Sequence, residues 1–349
     1  MFRKVQRRPI SLSSEMMVET DFVNSEKEFP LVVRPKADDL DLCSWSGSNR
    51  QWIQDRLLDY GAILFRGFDV GTVDRLSRFA DSLTDEVVEY KERRSPRTLL
   101  GKKVYTSTIH PSDQEILFHN TTSFSHQWPL KVWFCCLRPP DSGGMTPIAD
   151  CRRVLEHIDP TLREKFVDKG VMYVRNFHQG IGLPWQATFQ TTDIEEVERY
   201  CRDAQIHCEW VFGGSRLRTR QVRHAVATHP VTGACVWFNQ AYHFHIMNLP
   251  LNVRQGLLDT YAEEDLPRNA YFGDGSRIST EELAEIGAAY EAERVAFEWQ
   301  KGDVLMLDNM LAAHARTSYE GDRLIALMLA EQYSPPNYHE RPRTGLAAA

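Results

Sequence analysis

Apolar and polar positions recur with two different periods along this chain, and the changes of period mark its organisation. Residues 1–28 are polar and follow neither period, which predicts a loosely ordered N-terminal arm. In 49–60 (NRQWIQDRLLDY), Trp52, Ile53, Leu57 and Leu58 fall at helical spacing, and Gly61 is the expected stop. Ala62 to Arg66 then reads as a buried strand, and 72–83 (TVDRLSRFADSL) as a second amphipathic helix. Beyond this α–β–α opening, runs rich in Val, Ile and aromatics predict strands at 103–108, 114–119, 131–138, 171–175, 221–228, 234–239, 303–308 and 323–330. Helices are expected at 151–170, 193–205, 252–265 and 279–292, the last with Ser279 or Thr280 as its cap and acidic residues in its first turn. The helices do not alternate one-for-one with strands. A barrel-like double sheet therefore fits better than a doubly wound α/β fold. With no internal repeat and no low-complexity linker, residues 29–335 read as one domain and 336–349 as a C-terminal tail.

Bulk properties exclude several classes of function. Of 349 residues, 42% are hydrophobic and 26% charged, as in a globular protein. A net charge of -7 argues against a nucleic-acid footprint over the whole surface. Seven cysteines, an odd number with no C-x-x-C pair, argue against a disulfide scaffold or a zinc ribbon and fit a reducing cytoplasm. Arg3, Lys4, Arg7 and Arg8 make the N-terminus basic, but no apolar stretch of signal-peptide type follows. No run approaches the roughly 18 apolar residues of a membrane span.

Three patterns carry candidate chemistry. They are Phe118-His119-Asn120-Thr121, Gly143-Gly144-Met145-Thr146-Pro147, and the run from Asp308 to His314 followed by Gly321-Asp322-Arg323. Taken singly each has an ordinary structural reading. A histidine on a strand is more often a packed residue than a ligand, Thr146 beside a proline is a turn residue, and Arg323 is a charge at a strand end.

Taken in order, the runs resemble the TauD/TfdA family of iron(II)/2-oxoglutarate oxygenases, and within it the branch that hydroxylates amino-acid-like substrates in natural-product pathways. The similarity spans about residues 60–330 and includes GAILFRGF (61–68), SPRT (95–98), VYTST (104–108), the run 119–129, 143–152, WFNQAYHFH (237–245) and GDVLMLDNMLAAHAR (302–316). The resemblance implies a mainly β fold with α insertions, a double-stranded β-helix (jelly-roll) core flanked by helices. It also implies Fe(II) and 2-oxoglutarate as cofactors. The family pattern is His-x-Asp/Glu, a Thr or Ser about 25 residues on, a distant His, and an Arg roughly ten residues later. Carried over, His119 and His314 match the metal ligands, Thr146 matches the residue that helps hold 2-oxoglutarate, and Arg323 matches the clamp on its distal carboxylate, with Arg316 as the alternative. The physical logic agrees. Two imidazoles and a carboxylate on one face of iron leave positions for an oxoacid and dioxygen, and a guanidinium fork suits a planar carboxylate.

The departure is Thr121, which stands where the family has its acid. If the strand continues, residues 119 and 121 share a face, so His119, Thr121 and His314 form the candidate catalytic set. The nearest acid on that face, Glu115, would lie about 13 Å away on a straight strand. Met145 also departs from the branch, which often has Glu there. Four readings of Thr121 are open at this point. Water or a remote acid completes the shell of an oxygenase; chloride fills the vacated position, as in halogenating relatives; the chain is a non-catalytic binding protein; or the histidines serve another metal.

For partners, the resemblance implies a small molecule, an amino acid among the candidates. Asn120 and Arg97 are the candidate substrate residues. The six basic residues of 91–103 suit a carboxylate or an acidic carrier protein, against the plainer reading of a solvated loop. In Tyr242-His243-Phe244-His245 a period of two makes His243 and His245 same-face neighbours, an H-x-H pair whose aromatic neighbours favour core packing over metal binding.

Overall fold

The run Trp128–Arg138 is the spine of the fold, and its period of two decides what lies on each side. Trp133 and Cys135 face one way, into a core with Phe65, Phe79, Met306 and Met328. Val132, Phe134 and Cys136 face the other, with Leu64, Leu305, Leu307 and Leu327. A strand buried on both faces must be apolar almost throughout, which is why WPLKVWFCCLR lacks a clean polar alternation. The computed structural model describes residues 17–88, 98–108, 110–178, 180–211 and 216–335. In it the spine lies between Val304–Asp308 and Leu324–Tyr333 in an eight-stranded sheet. Phe29–Pro35 and Ala62–Phe65 form a parallel pair in that sheet, next to Val304–Asp308.

The helices Arg50–Tyr60 and Val73–Leu83 cover the outer face with Ile53, Leu57, Leu76 and Phe79. Burying each such side chain stabilises the fold by about 1.5–3 kcal/mol. The first helix stops at Gly61, whose φ of 74° lets its N–H reach Leu57 O at 2.7 Å. The inner face packs on a second sheet in which Ala312–Arg316 lies between Ile116–His119 and Ile148–Asp150. These two facing sheets are the expected jelly-roll core with flanking helices. A further four-stranded sheet, ordered His207–Val211, Arg216–Arg223, Val171–Phe177, Arg268–Phe272, is built from the insertion between the histidine strands. Among the described residues, no helix is long and apolar enough to cross a membrane.

Several boundaries differ from the sequence expectation for identifiable reasons. The segment read as an aperiodic arm contains the strand Val18–Asn24, a sheet edge whose outward polar residues hide its period. The helix expected over 151–170 is two helices, Cys151–His157 and Pro160–Lys169, because Asp159 caps a new start with Pro160 in its first turn. The helix at 279–292 forms as Thr280–Glu293, with Ser279 and Glu282 making a reciprocal capping box. The strand expected at 114–119 is only Ile116–His119, so position 121 lies beyond its end.

Candidate active site

His119 closes the strand Ile116–His119 and stands directly opposite His314 on Ala312–Arg316. Directly opposed residues bring their Cβ atoms to about 5 Å, so antiparallel pairing alone sets the two imidazoles side by side. Their ring centroids are 4.4 Å apart, tilted by 53°. His119 Nδ1 lies 2.8 Å from Leu117 O. A carbonyl only accepts, so Nδ1 carries the proton and Nε2 keeps the lone pair a metal needs. Phe134 meets the His314 ring edge-on at 5.0 Å.

After His119 the chain turns, and the backbone of Thr121 is held by a residue far along the sequence. Asn309 Oδ1 accepts from Thr121 N at 2.7 Å, and Asn309 Nδ2 donates to Thr121 O and Pro129 O, each at 2.9 Å. Thr122 follows with φ at 56°, a strained conformation for a β-branched residue. Asn309 itself sits in a turn fixed by Asp308, whose Oδ1 accepts from Met310 N and Leu311 N at 2.9 and 3.0 Å. Asp308 Oδ2 is 3.0 Å from His229 Nε2. His229 Nδ1 accepts from Val231 N and Thr232 N, so Nε2 holds the proton and donates it. Thr121, His229, Asp308 and Asn309 are all buried. Asn309→Ala is expected to lower unfolding free energy by about 2–4 kcal/mol, since it leaves a donor and two acceptors without their partner. Urea denaturation read by far-UV circular dichroism checks this.

Asn120, expected beside the substrate, turns the other way. It is fully buried, its Nδ2 donating to Asn309 O at 2.8 Å and to Cys151 Sγ at 3.3 Å, so it serves the core.

Across the inner space lie Thr146 and Arg323. Thr146 Oγ1 accepts from Trp299 Nε1 at 3.2 Å and from Arg323 Nη2 at 3.4 Å. Both lone pairs are then used, so the hydroxyl proton is the group left to offer an incoming acceptor. Arg323 Nε donates to Gly144 O at 2.9 Å and Nη1 to Ser107 Oγ at 3.4 Å. Gly144 has φ of 62°, and a Cβ there would come within 2.9 Å of Arg323 Cδ, which explains the small residue in this pattern. Every hydrogen-bond partner of Arg323 is neutral, and no carboxylate among the described residues pairs with it. Burial, then the nearby Arg316, pushes its pKa down to about 10, so it stays charged at neutral pH. Arg316 commits its terminal nitrogens elsewhere, to His110 O, Pro111 O and Gln114 O at 3.1, 2.6 and 2.6 Å. It anchors the loop 110–114.

Two cavities meet at His119 and Thr121, which line both. The smaller holds His314, Thr146, Arg316 and Arg323 as well. The larger is walled by Glu115, Gln240, His243 and Arg268 among others. Arg97 and most of the basic run 91–103 lie outside the described residues.

His243 corrects the core-packing reading of the H-x-H pair. It lies on the short helix Ala241–Phe244, and its ring stacks on His119 with centroids 4.7 Å apart and 24° between planes. Near-parallel rings do not aim their nitrogens at one point. His245 leaves the helix in another direction, its Nδ1 accepting from Met247 N at 3.2 Å. Burial depresses its pKa to about 4. Among the described residues, no group of three or more His, Cys, Asp and Glu is arranged to hold a metal ion. The residues present thus offer a metal two imidazoles and a neutral hydroxyl, and offer a dicarboxylate a guanidinium and a hydroxyl donor.

The family model described as "Taurine catabolism dioxygenase TauD, TfdA family" matches residues 27–329. Among curated proteins, the dapdiamide synthesis protein DdaC of Enterobacter agglomerans is 41% identical over 283 residues, covering 81% of this chain and 86% of that one. A clavaminate synthase-like protein of Arabidopsis thaliana is 27% identical over 323 residues, covering 87% of this chain and 94% of its own. Among solved structures, PvcB of Pseudomonas aeruginosa has the same fold, with a TM-score of 0.55 at 13% identity over 92% of this chain and 93% of that one. PvcB is described as an Fe, alpha-ketoglutarate dependent oxygenase from an isonitrile synthetic pathway.

Proposed function

Since this chain belongs to the TauD/TfdA family and is a 2-oxoglutarate-dependent dioxygenase with Fe(II) and 2-oxoglutarate as its cofactors, we propose that it oxidises an unactivated C–H bond of a small, amino-acid-like molecule in secondary metabolism. In this reading His119 and His314 are the protein's ligands to iron, and Thr121 leaves the usual carboxylate position neutral. Thr146 and Arg323 hold the far carboxylate of 2-oxoglutarate. The observation that carries the reading is Arg323, a half-buried cation whose hydrogen-bond partners among the described residues are all neutral, bonded to Thr146 in the same cavity as the paired histidines. A charge held largely away from water without an opposite charge is costly, and a dicarboxylate cosubstrate supplies the missing anion.

Iron and 2-oxoglutarate, when bound, would supply the oxidation with dioxygen as the oxidant, one oxygen atom ending in the succinate formed as 2-oxoglutarate loses CO2 and the other serving to oxidise the substrate. The protein's part is binding, orientation and exclusion of water. Leu117 O fixes the His119 tautomer, Asn309 fixes the backbone of Thr121, and Phe134 shields His314. The amino-acid-like substrate is supported by the likeness to DdaC, whose name ties it to dapdiamide synthesis. Delivery on an acidic carrier protein rests on the basic run 91–103 alone. The neutral Thr121 also favours a second reading, in which chloride fills the anionic position and the product is halogenated.

The test is oxygen-dependent conversion of 2-oxoglutarate to succinate by the iron-loaded protein, across free and N-acylated amino acids, with and without chloride. Succinate formation raised by a panel member and matched by its oxidised product is the expected result. Halogenated product confined to the chloride samples selects the second reading. No oxygen-dependent loss of 2-oxoglutarate under any condition contradicts both.

A further inference from the structure

We propose that Arg268 is the anion-binding residue of the larger cavity, and that the substrate therefore presents a carboxylate to it. The inference rests on the oxygenase reading for the cavity's role and adds the chemical class of what enters.

Arg268 opens the strand Arg268–Phe272 and stands directly opposite Arg175 on the neighbouring strand. Like charges placed so are destabilising unless something lies between or beside them. The same sheet neutralises other arginines: Arg216 and Arg218 both reach Asp265 Oδ1 at 2.7 Å. Arg175 donates to Thr188 Oγ1 at 3.4 Å and lies 4.7 Å from the Phe177 ring centroid. The Arg268 side chain makes no hydrogen bond and no ion pair among the described residues, and its guanidinium lies 5.7 Å from the centroid of Phe244. It is half-buried and lines the larger cavity with His119 and Thr121. It also lines an adjoining cavity whose other walls include Phe177, Leu183 and Phe244.

Burial and Arg175 lower the Arg268 pKa to about 10, which leaves it charged at neutral pH. His110, which lines both cavities, is held toward its neutral form by burial and by Arg316 and Arg268, so it adds no further cation there. A planar fork of donors facing a cavity next to the histidine pair matches a carboxylate, and the apolar annex beyond it suits an acyl or alkyl extension. The cosubstrate does not answer this need, since Arg268 is not on the wall of the smaller cavity that holds Arg323 and Thr146.

The experiment is titration of the full chain with N-acetyl amino acids and with their carboxamides, read by isothermal calorimetry with and without saturating 2-oxoglutarate. At least one acid is expected to bind about tenfold or more tightly than its amide. Arg268→Gln should abolish that preference and leave 2-oxoglutarate affinity unchanged, while Arg268→Lys keeps part of it. Because the native side chain is an unneutralised cation, Arg268→Gln is expected to melt no lower than the wild type; a purely structural arginine predicts the reverse. Equal binding of acids and amides, binding of neither, or an intact preference in Arg268→Gln overturns the proposal. Absence of 2-oxoglutarate binding to the wild type, read in the same series, instead strikes the oxygenase reading.

Discussion

Replacing Thr121 by aspartate is expected to tighten iron(II) binding by about 100-fold or more, because loss of outlying hydrogen-bond partners alone typically costs 10–100-fold and this change restores a ligand. Three features favour the gain. Aspartate is close to threonine in size, so the buried position can accept it. Asn309 holds the backbone N–H and carbonyl of residue 121, so the new carboxylate emerges from a fixed point. The position lines the same cavity as both histidines. An anionic oxygen beside two imidazoles is the donor set that non-haem iron prefers. Competition against a coloured chelator under anaerobic conditions measures the change. Unchanged or weaker affinity in Thr121→Asp would mean that position 121 does not face the metal.

The second large effect is on the cosubstrate. Arg323→Gln is expected to raise the 2-oxoglutarate Kd by about 30- to 1000-fold, the 2–4 kcal/mol cost of removing one member of a buried, hydrogen-bonded charge pair. Arg323→Lys keeps the charge but loses the fork, so it should fall between. Iron affinity measured without 2-oxoglutarate should change little, which separates a clamp from a residue needed for folding. The pH dependence follows from the depressed pKa of Arg323. The cation is the binding form, and its pKa lies near 10. Affinity is therefore expected to stay level from pH 6 to about 9 and to decline as pH rises through about 10. A steep loss between pH 6 and 8 would point to a different anchor.

How much of this was legible in the sequence depends on how local each cause is. The apolar, aromatic-rich run of Trp128–Arg138 and the capping residues of Thr280–Glu293 act within a few residues, and the elements formed close to where they were expected. The pairing of His119 with His314 was legible only through the family's spacing, since nothing local to either residue requests the other. The same comparison exposed Thr121. It did not expose that the strand stops at His119, because the turn there depends on Asn309, 188 residues further on. Asp308, which precedes Asn309, was in plain view, but its work as the brace of the turn that holds Asn309 involves His229 as well. His243 was misread for a simpler reason. A period of two was assumed across Tyr242-His243-Phe244-His245, whereas the segment is a short helix that turns one imidazole toward His119 and sends the other elsewhere. Arg268 carries no pattern at all; its meaning arises from a guanidinium with no ion pair among the described residues, which only packed side chains reveal.

Two histidines with a neutral neighbour, completed by a chelating cosubstrate, is the central claim, and anaerobic titration of the apo-protein with iron(II) and 2-oxoglutarate tests it most directly. The account predicts a visible metal-to-ligand charge-transfer band that needs both additions, saturates near one iron per chain, and is lost in the His119→Ala and His314→Ala variants. No band, with no iron retained by the wild-type chain in the presence of saturating 2-oxoglutarate, would contradict it.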